Sequence, residues 1–172
     1  VLARRKVRYV GEAIAAVAAE DLVTAKKALK KIKVRYQQLP VITKPEDAIK
    51  TGATVIHEDV PDNIVMHIPI RKGNVDKVMA ESDHVIEDTY YTQPVEHAYL
   101  EPEAGLAYLD ADGTLVIQSP SQNITHHRHK LAKILDLPIN RVRMIMSAVG
   151  GGFGGKEDMH YQGIMALAVL KC

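Results

Sequence analysis

A glycine-rich run near the C-terminus holds the densest group of residues that could do chemistry. Five of the ten residues from Val149 to Asp158 are glycine, and Lys156 and Glu157 follow the last of them. Glycine tolerates positive φ and lets a ligand approach the bare backbone. Because short structural turns rarely need so many glycines, the run indicates a binding loop. A strand-like pattern before it and a helical pattern after it favour amides that hold an anionic cofactor at a helix N-terminus.

Two general phosphate-binding motifs match parts of this run. The residues from Gly150 onwards follow the Walker A pattern until Glu157, which stands where a Ser or Thr hydroxyl would bind magnesium. A carboxylate at that place would repel a triphosphate, so we reject the Walker A interpretation. Gly150, Gly152 and Gly155 also have the spacing of the dinucleotide fingerprint, whose acidic residue is expected about 20 residues further on. The sequence ends before that point, so this interpretation stays open.

A second group of polar residues, Glu96, His97 and Glu101, could be taken for metal ligands. His97 and Glu101 are four residues apart, but Pro102 argues against the helix that would bring them together. A zinc site also needs about four ligands. We therefore expect these side chains to form hydrogen bonds that hold their segment beside the glycine run, and we predict no metal ligand from the protein.

Three histidines on a predicted helix, His126, His127 and His129, form the last candidate cluster. Adjacent side chains on a helix point about 100° apart, so the three rings cannot all converge on one metal. The sequence favours histidines at the solvated surface or at a domain contact. Cys172 has no histidine with which a catalytic pair could be argued, and we interpret it as an inert thiol.

Two of these runs together resemble the signatures of one enzyme family. The sequence Gly-Gly-Gly-Phe-Gly-Gly-Lys-Glu at 150–157 resembles the molybdopterin loop of the xanthine dehydrogenase family of molybdenum hydroxylases. Residues 96–105 resemble a second signature of that family, and the order and spacing of the two also match. The resemblance implies a subunit that binds the molybdopterin–molybdenum cofactor and hydroxylates a heterocycle or aldehyde with oxygen from water. Iron–sulfur clusters and FAD on partner domains or subunits would carry the electrons away.

The resemblance also implies roles for particular residues. The cofactor contacts would come from Gly151, Gly152, Phe153, Gly154 and Gly155, with the last three presenting backbone amides. Glu157 would bind and orient the substrate, and the cofactor's dithiolene, not a side chain, would hold the metal. Val95 stands where purine-oxidising members have a Gln, so the substrate stays open among purines, nicotinate-like heterocycles and aldehydes. The general base of the family lies outside this chain.

The rest of the sequence predicts an α+β fold. We expect the end of a small, hammerhead-like α/β domain at 1–40, a linker at 41–63 and the first part of a molybdopterin-binding domain at 64–172. Strands are predicted at 6–20, 34–39, 64–71, 82–92, 106–109, 115–118 and 141–146, and helices near 21–32, 46–50, 75–81 and 124–135 and after the glycine run. Both ends look cut, so we expect a fragment that is inactive alone. The remaining C-terminal part of the molybdopterin subunit and iron–sulfur and FAD subunits would complete it.

Composition excludes several other classes of protein. Hydrophobic residues make up 47% of the sequence, which is typical of a globular protein. A net charge of +1 gives no reason to expect nucleic acid or a membrane as partner. A single cysteine excludes a Cys-based metal site and suits the reducing cytoplasm. Two alternatives stay open: a non-catalytic glycine-loop module that binds a nucleotide or phosphate, and a structural subunit that completes its site with a partner chain. A homo-oligomer is also compatible with the sequence.

Overall fold

The computed structural model describes residues 1–172, which form two compact units. One unit contains residues 1–33 and 95–172, and the other contains residues 34–94. The first unit holds the sheet and its core. The predicted α+β class is confirmed. None of the helices has the length and apolar character needed to span a bilayer.

Five α-helices form: α1 (Leu22–Leu29), α2 (Pro45–Ala48), α3 (Val75–Glu81), α4 (Ile124–Leu135) and α5 (Gln162–Lys171). Three of them begin with a side chain that caps the first helical turn. The Asp21 carboxylate accepts a hydrogen bond from the Thr24 amide at 2.7 Å, and the Asn123 side chain accepts one from the His126 amide at 3.1 Å. Asn74 caps α3 in the same way. Each cap satisfies an amide that the first helical turn cannot pair.

A three-stranded sheet carries the chain to the glycine run. β1 (Leu106–Leu109) and β2 (Leu115–Ser119), at the positions of two predicted strands, form an antiparallel hairpin, and β3 (Val142–Met146) pairs in parallel with β2. Parallel strands need a crossover, which α4 and a single 3₁₀ turn (Ile139–Arg141) supply. Because β2 and β3 run in the same direction, the segments that follow them leave the sheet at the same edge.

The core lies between this sheet and the helices α4 and α5. Its buried side chains come from β2, α4, β3 and α5: Leu115, Ile117, Leu131, Ala132, Val142 and Ala166. Each fully buried Leu, Ile or Val contributes roughly 1.5–3 kcal/mol relative to exposure. This packing fixes the ends of β2 and β3, and therefore the starting points of the two loops that follow them.

Four predicted strands, at 6–20, 34–39, 64–71 and 82–92, are wrong, because none of these segments pairs into a sheet in this structure. Many of their apolar side chains are exposed; Ile86, for example, is 89% exposed. Alternation predicts which side chains share a face, but a strand also needs a neighbour for its backbone. None of the residues of α1 is buried either.

The stretch predicted as a linker, 41–63, has hydrogen bonding of its own. Asn63 adopts a left-handed φ of +57°. Its side-chain oxygen accepts from the Ile56 amide at 2.9 Å, and its nitrogen donates to the carbonyls of Ala48 and Thr54 at 2.9 and 3.1 Å. One side chain therefore ties the end of α2 to the loop after it. The predicted domain boundaries themselves stay a prediction.

Candidate cofactor and substrate site

The glycine run follows β3 but does not lead directly into a helix. Ser147 continues the pairing with β2, since its amide donates to the Ser119 carbonyl at 3.2 Å. Residues 153–157 then form successive turns, and α5 begins only at Gln162. The expectation that these amides lie at a helix N-terminus is therefore wrong, and any anion in this loop would be held by the loop backbone itself.

Glu101 and Lys156 join the two signature runs. Lys156, which is 1% exposed, donates from Nζ to Glu101 Oε2 at 2.6 Å and to the Glu101 carbonyl at 3.1 Å. The same carboxylate oxygen accepts the Gly150 amide at 2.6 Å, and the Glu101 amide donates back to the Gly150 carbonyl at 3.2 Å. The Lys156 hydrogen bond and the Gly150 amide hold the pKa of Glu101 below its ordinary value. The predicted hydrogen bonding of this segment beside the glycine run is confirmed for Glu101.

Aromatic groups pack around the same pair. The Lys156 ammonium lies 4.6 Å from the centre of the Tyr99 ring, which adds a cation–π contact. The Tyr161 hydroxyl donates to the Ala104 carbonyl at 2.7 Å, and burial raises the pKa of Tyr161 to about 12. The hydroxyl is therefore protonated at neutral pH and fixes the start of α5 to the segment that leads into β1.

Gln122 is a residue that holds the glycine loop and that the sequence interpretation missed. Its side-chain oxygen accepts the amides of Gly154 at 3.0 Å and Lys156 at 3.1 Å, and its own amide donates to the Lys156 carbonyl at 3.0 Å. Gln122 lies just after β2, whereas the glycine run follows β3. The two segments meet because loops after parallel strands lie at the same edge of a sheet, and the residues around Gln122 in the sequence do not indicate this arrangement.

The hydrogen bonds of the loop leave three consecutive amides free. The Gly154 amide is used by Gln122, and the Gly155 amide donates to the Gly152 carbonyl at 2.7 Å. The amide contacts expected of Gly154 and Gly155 are therefore not available in this conformation. The amides of Gly151, Gly152 and Phe153 make no hydrogen bond within the chain.

The backbone around these amides requires glycine. Gly151 and Gly154 have φ of +97° and +95°, where side chains are strained. A Cβ on Gly155 would lie 2.7 Å from the Tyr99 ring, and one on Gly152 would collide with the Gln122 amide group. Phe153, at φ of +51°, is 75% exposed. The bare loop with three free donors fits an anionic, oxygen-rich cofactor, and its residues therefore fit the group that the sequence implied.

Glu157 combines an anchored backbone with an exposed side chain. Its amide donates to the Gly154 carbonyl at 3.1 Å, and its carbonyl accepts from His127 Nε2 at 2.8 Å. Its carboxylate forms no hydrogen bond or ion pair within the chain, and the residue is exposed. Glu157 precedes α5 by several residues, so it does not lie in the first turn of that helix.

The histidine cluster divides as the geometry of a helix requires. His126 and His129 are exposed, which agrees with the predicted solvated surface, but His127 is 0% exposed, so a solvated position is wrong for that residue. No group of three His, Cys, Asp or Glu side chains is placed to hold a metal ion. Cys172 is an exposed, free thiol.

Comparison with known families places the chain in one of them. Residues 56–172 match the molybdopterin cofactor-binding domain, and residues 1–40 match the a/b hammerhead domain of aldehyde oxidase and xanthine dehydrogenase. The chain therefore belongs to the molybdopterin cofactor-binding domain family. The order of the two matches confirms the predicted sequence of a hammerhead-like part followed by a molybdopterin-binding part.

Individual relatives agree with this assignment. The chain is 40% identical over 171 residues to a probable xanthine dehydrogenase subunit of Bacillus subtilis, covering 99% of this chain and 23% of the relative. It is 39% identical over 157 residues to the nicotinate dehydrogenase large molybdopterin subunit of Eubacterium barkeri, covering 91% and 36%. The aldehyde oxidoreductase of Desulfovibrio gigas superposes with a TM-score of 0.88 at 28% identity, covering 98% of this chain and 19% of that one.

These three relatives are much longer than the chain, which spans only 19 to 36% of their length. The alternative of a non-catalytic nucleotide-binding module finds no support among them, because all three are described as dehydrogenases, as oxidoreductases or as parts of one.

Proposed function

We propose that this chain is the part of a molybdenum hydroxylase that holds the molybdopterin cofactor beside its substrate. The observation that carries the proposal is the glycine loop, in which three free amides lie in the same short run as the unpaired carboxylate of Glu157. Two other segments of the chain fix that loop, one through Glu101, which binds Gly150 and Lys156, and one through Gln122, which binds Gly154. Such fixed donors cost no reorganisation when a ligand arrives.

Different residues of the loop bind the cofactor and the substrate. When bound, the molybdenum cofactor supplies the oxidation chemistry, in which a water-derived oxygen is added to an electron-poor carbon and two electrons are removed. The amides of Gly151, Gly152 and Phe153 donate to the cofactor, and Gly154 and Gly155 keep the backbone bare where it approaches. Glu157 binds and orients the substrate through a hydrogen bond that is stronger in the transition state.

The substrate that suits this site is an electron-poor nitrogen heterocycle, with an aldehyde as the second candidate. A ring nitrogen or its attached hydrogen gives the Glu157 carboxyl group a hydrogen-bonding partner, which favours the heterocycle. The relative from Eubacterium barkeri is named for nicotinate, and that from Desulfovibrio gigas for aldehydes. Val95 offers no polar side chain at the position where purine-oxidising members have a Gln, which disfavours xanthine.

Other parts of the protein complete the activity. The exposed apolar side chains of 64–71 and 82–92 suit burial against the remaining C-terminal part of the molybdopterin subunit, which also supplies the general base. Iron–sulfur and FAD domains or subunits receive the electrons.

Within the chain we propose domains at 1–40 and 64–172 joined by 41–63, which the matches at 1–40 and 56–172 support. The single cysteine suits a cytoplasmic location, and a homo-oligomer fits the exposed apolar surface.

The test uses the intact protein expressed with its partner subunits in molybdenum-containing medium. We expect bound molybdenum and pterin, measured by elemental analysis and by fluorescence of the released pterin. We also expect turnover of at least one member of a panel of nicotinate, purines and aromatic aldehydes, with oxygen-18 from labelled water in the product. An intact protein without molybdenum and pterin would overturn the proposal. The 172-residue chain alone should turn over none of the panel.

A further inference from the structure

His127 is a fully buried histidine to which the proposed function gives no role. It lies on α4 at 0% exposure, with Ser121 at 2% beside it. Both ring nitrogens have partners: Nδ1 lies 3.1 Å from the Ser121 hydroxyl, and Nε2 lies 2.8 Å from the Glu157 carbonyl. A leucine would fill this space without any polar group to satisfy. The imidazole is therefore needed to form these hydrogen bonds and not simply to fill the space.

The partners determine which nitrogen carries the proton. The Glu157 carbonyl can only accept, so Nε2 donates. In the neutral ring Nδ1 then accepts, and the Ser121 hydroxyl donates to it. The same hydroxyl accepts the Asn123 amide at 3.0 Å. The hydrogen bonds therefore run in one direction, from the amide at the N-cap of α4 through Ser121 and His127 to the carbonyl of Glu157.

This arrangement fixes the backbone of Glu157 from both sides. Its amide is held by the Gly154 carbonyl and its carbonyl by His127, so rotation about the side-chain bonds is the main freedom left to its carboxylate. We infer that His127 is a positioning residue that sets the place from which the Glu157 carboxylate reaches the substrate. This inference rests on the proposed function of Glu157.

The matched variants are His127→Leu, His127→Gln and His126→Leu. Leucine fills the space without a donor, whereas the glutamine side-chain nitrogen can take the place of Nε2. His126→Leu makes the same chemical change at the exposed neighbour on α4. In the intact enzyme, we expect His127→Leu to lower kcat/KM roughly 10- to 100-fold, since small misplacements of a positioning group cost this much. His127→Gln should restore most of the loss, and His126→Leu should match wild type.

Two further measurements separate positioning from damage. Molybdenum content should stay at the wild-type level in all three variants. Hydrogen–deuterium exchange followed by mass spectrometry should show faster exchange of the turn at 154–158 in His127→Leu, but not in His127→Gln. In a Glu157→Gln background, His127→Leu should cause little further loss of kcat/KM, because both changes act through one carboxylate.

Each result supports or overturns a different statement. If wild-type protein lacks molybdenum or turnover, the proposed function itself fails. If wild type is active but His127→Leu loses molybdenum, His127 holds the cofactor loop and the inference is wrong. The inference would also be overturned if His127→Leu lowered kcat/KM by the same factor in the Glu157→Gln background as in wild type. Equal activity of His127→Leu and His127→Gln would overturn it too.

Discussion

The substitution Gly154→Val tests whether the glycine loop binds a cofactor or is only a turn. A Cβ on Gly154 would have His97 Nε2 as its nearest neighbour, at 3.7 Å, which is an ordinary contact. The chain itself therefore has room for a side chain. The cost within the chain comes from the φ of +95°, and a side chain in the left-handed region costs about 1–2 kcal/mol.

Gly113 supplies a matched control. It lies in the hairpin turn between β1 and β2 at φ of +79°, and a Cβ there would meet nothing within 4 Å. Gly113→Val therefore introduces the same kind of strain, about 1–2 kcal/mol, far along the chain from the glycine loop. Thermal unfolding of the two variants in the intact protein should show decreases in stability of similar size.

Cofactor occupancy then distinguishes the two positions. Gly113→Val should keep its molybdenum, whereas Gly154→Val should lose most of it, because the added methyl groups would occupy the space in which we propose that the cofactor binds. Elemental analysis of purified, folded protein measures the difference. If Gly154→Val keeps full molybdenum and differs from wild type only by the stability loss seen in Gly113→Val, the loop is a turn and does not contact the cofactor.

Three other side chains support predictions of their own. Glu157→Gln should leave molybdenum content near normal and lower kcat/KM roughly 100-fold; loss of molybdenum would instead make it a cofactor contact. Because the pKa of Glu101 lies below its ordinary value of 4.5, its stabilising effect is present above pH 4.5 and is lost as the pH falls through the lower folded value. In urea unfolding, Glu101→Gln should accordingly be less stable than wild type at neutral pH. Below pH 4.5 the stability of wild type should fall more than that of the variant, so the difference between them becomes smaller; plots of stability against pH that run parallel would refute this. Asn63→Ala removes three hydrogen bonds worth about 1 kcal/mol each, so limited proteolysis should cut faster between residues 48 and 63, and an unchanged rate would contradict the importance of this side chain.

Local signals explain which elements the sequence could predict. The β1–β2 hairpin follows from Asp110 and Gly113 between two apolar runs, and α4 follows from the Asn123 cap and the apolar spacing after it. The segments 64–71 and 82–92 have an equally good alternating pattern. They form no sheet because pairing depends on a second segment, and a pattern within one segment carries no information about that partner.

In the candidate site, too, some residues can be found from the local sequence and others depend on distant segments. The glycine loop could be found because its composition alone requires an unusual backbone. Gln122 could not be assigned from its own neighbours, since its two acceptor contacts depend on the parallel arrangement of β2 and β3. His127 could have been found: it lies three residues after Ile124 and four before Leu131, which places it on the apolar face of α4. Only the structure shows that this face meets Glu157.

The contacts of Lys156 and the charge of Glu157 indicate that an anion at this loop would be bound by backbone amides and not by a lysine side chain. In a Walker A loop the lysine reaches the phosphates, but here Lys156 is 1% exposed and its ammonium is bound by the Glu101 carboxylate and carbonyl. The positive charge of Lys156 therefore holds the loop together, and Glu157 places a negative charge at its exposed side. A free phosphate or triphosphate would meet this carboxylate without a lysine to offset it. The free amides of Gly151, Gly152 and Phe153 are what the loop itself offers, so it suits a ligand recognised through directed backbone hydrogen bonds and held by contacts elsewhere in the protein.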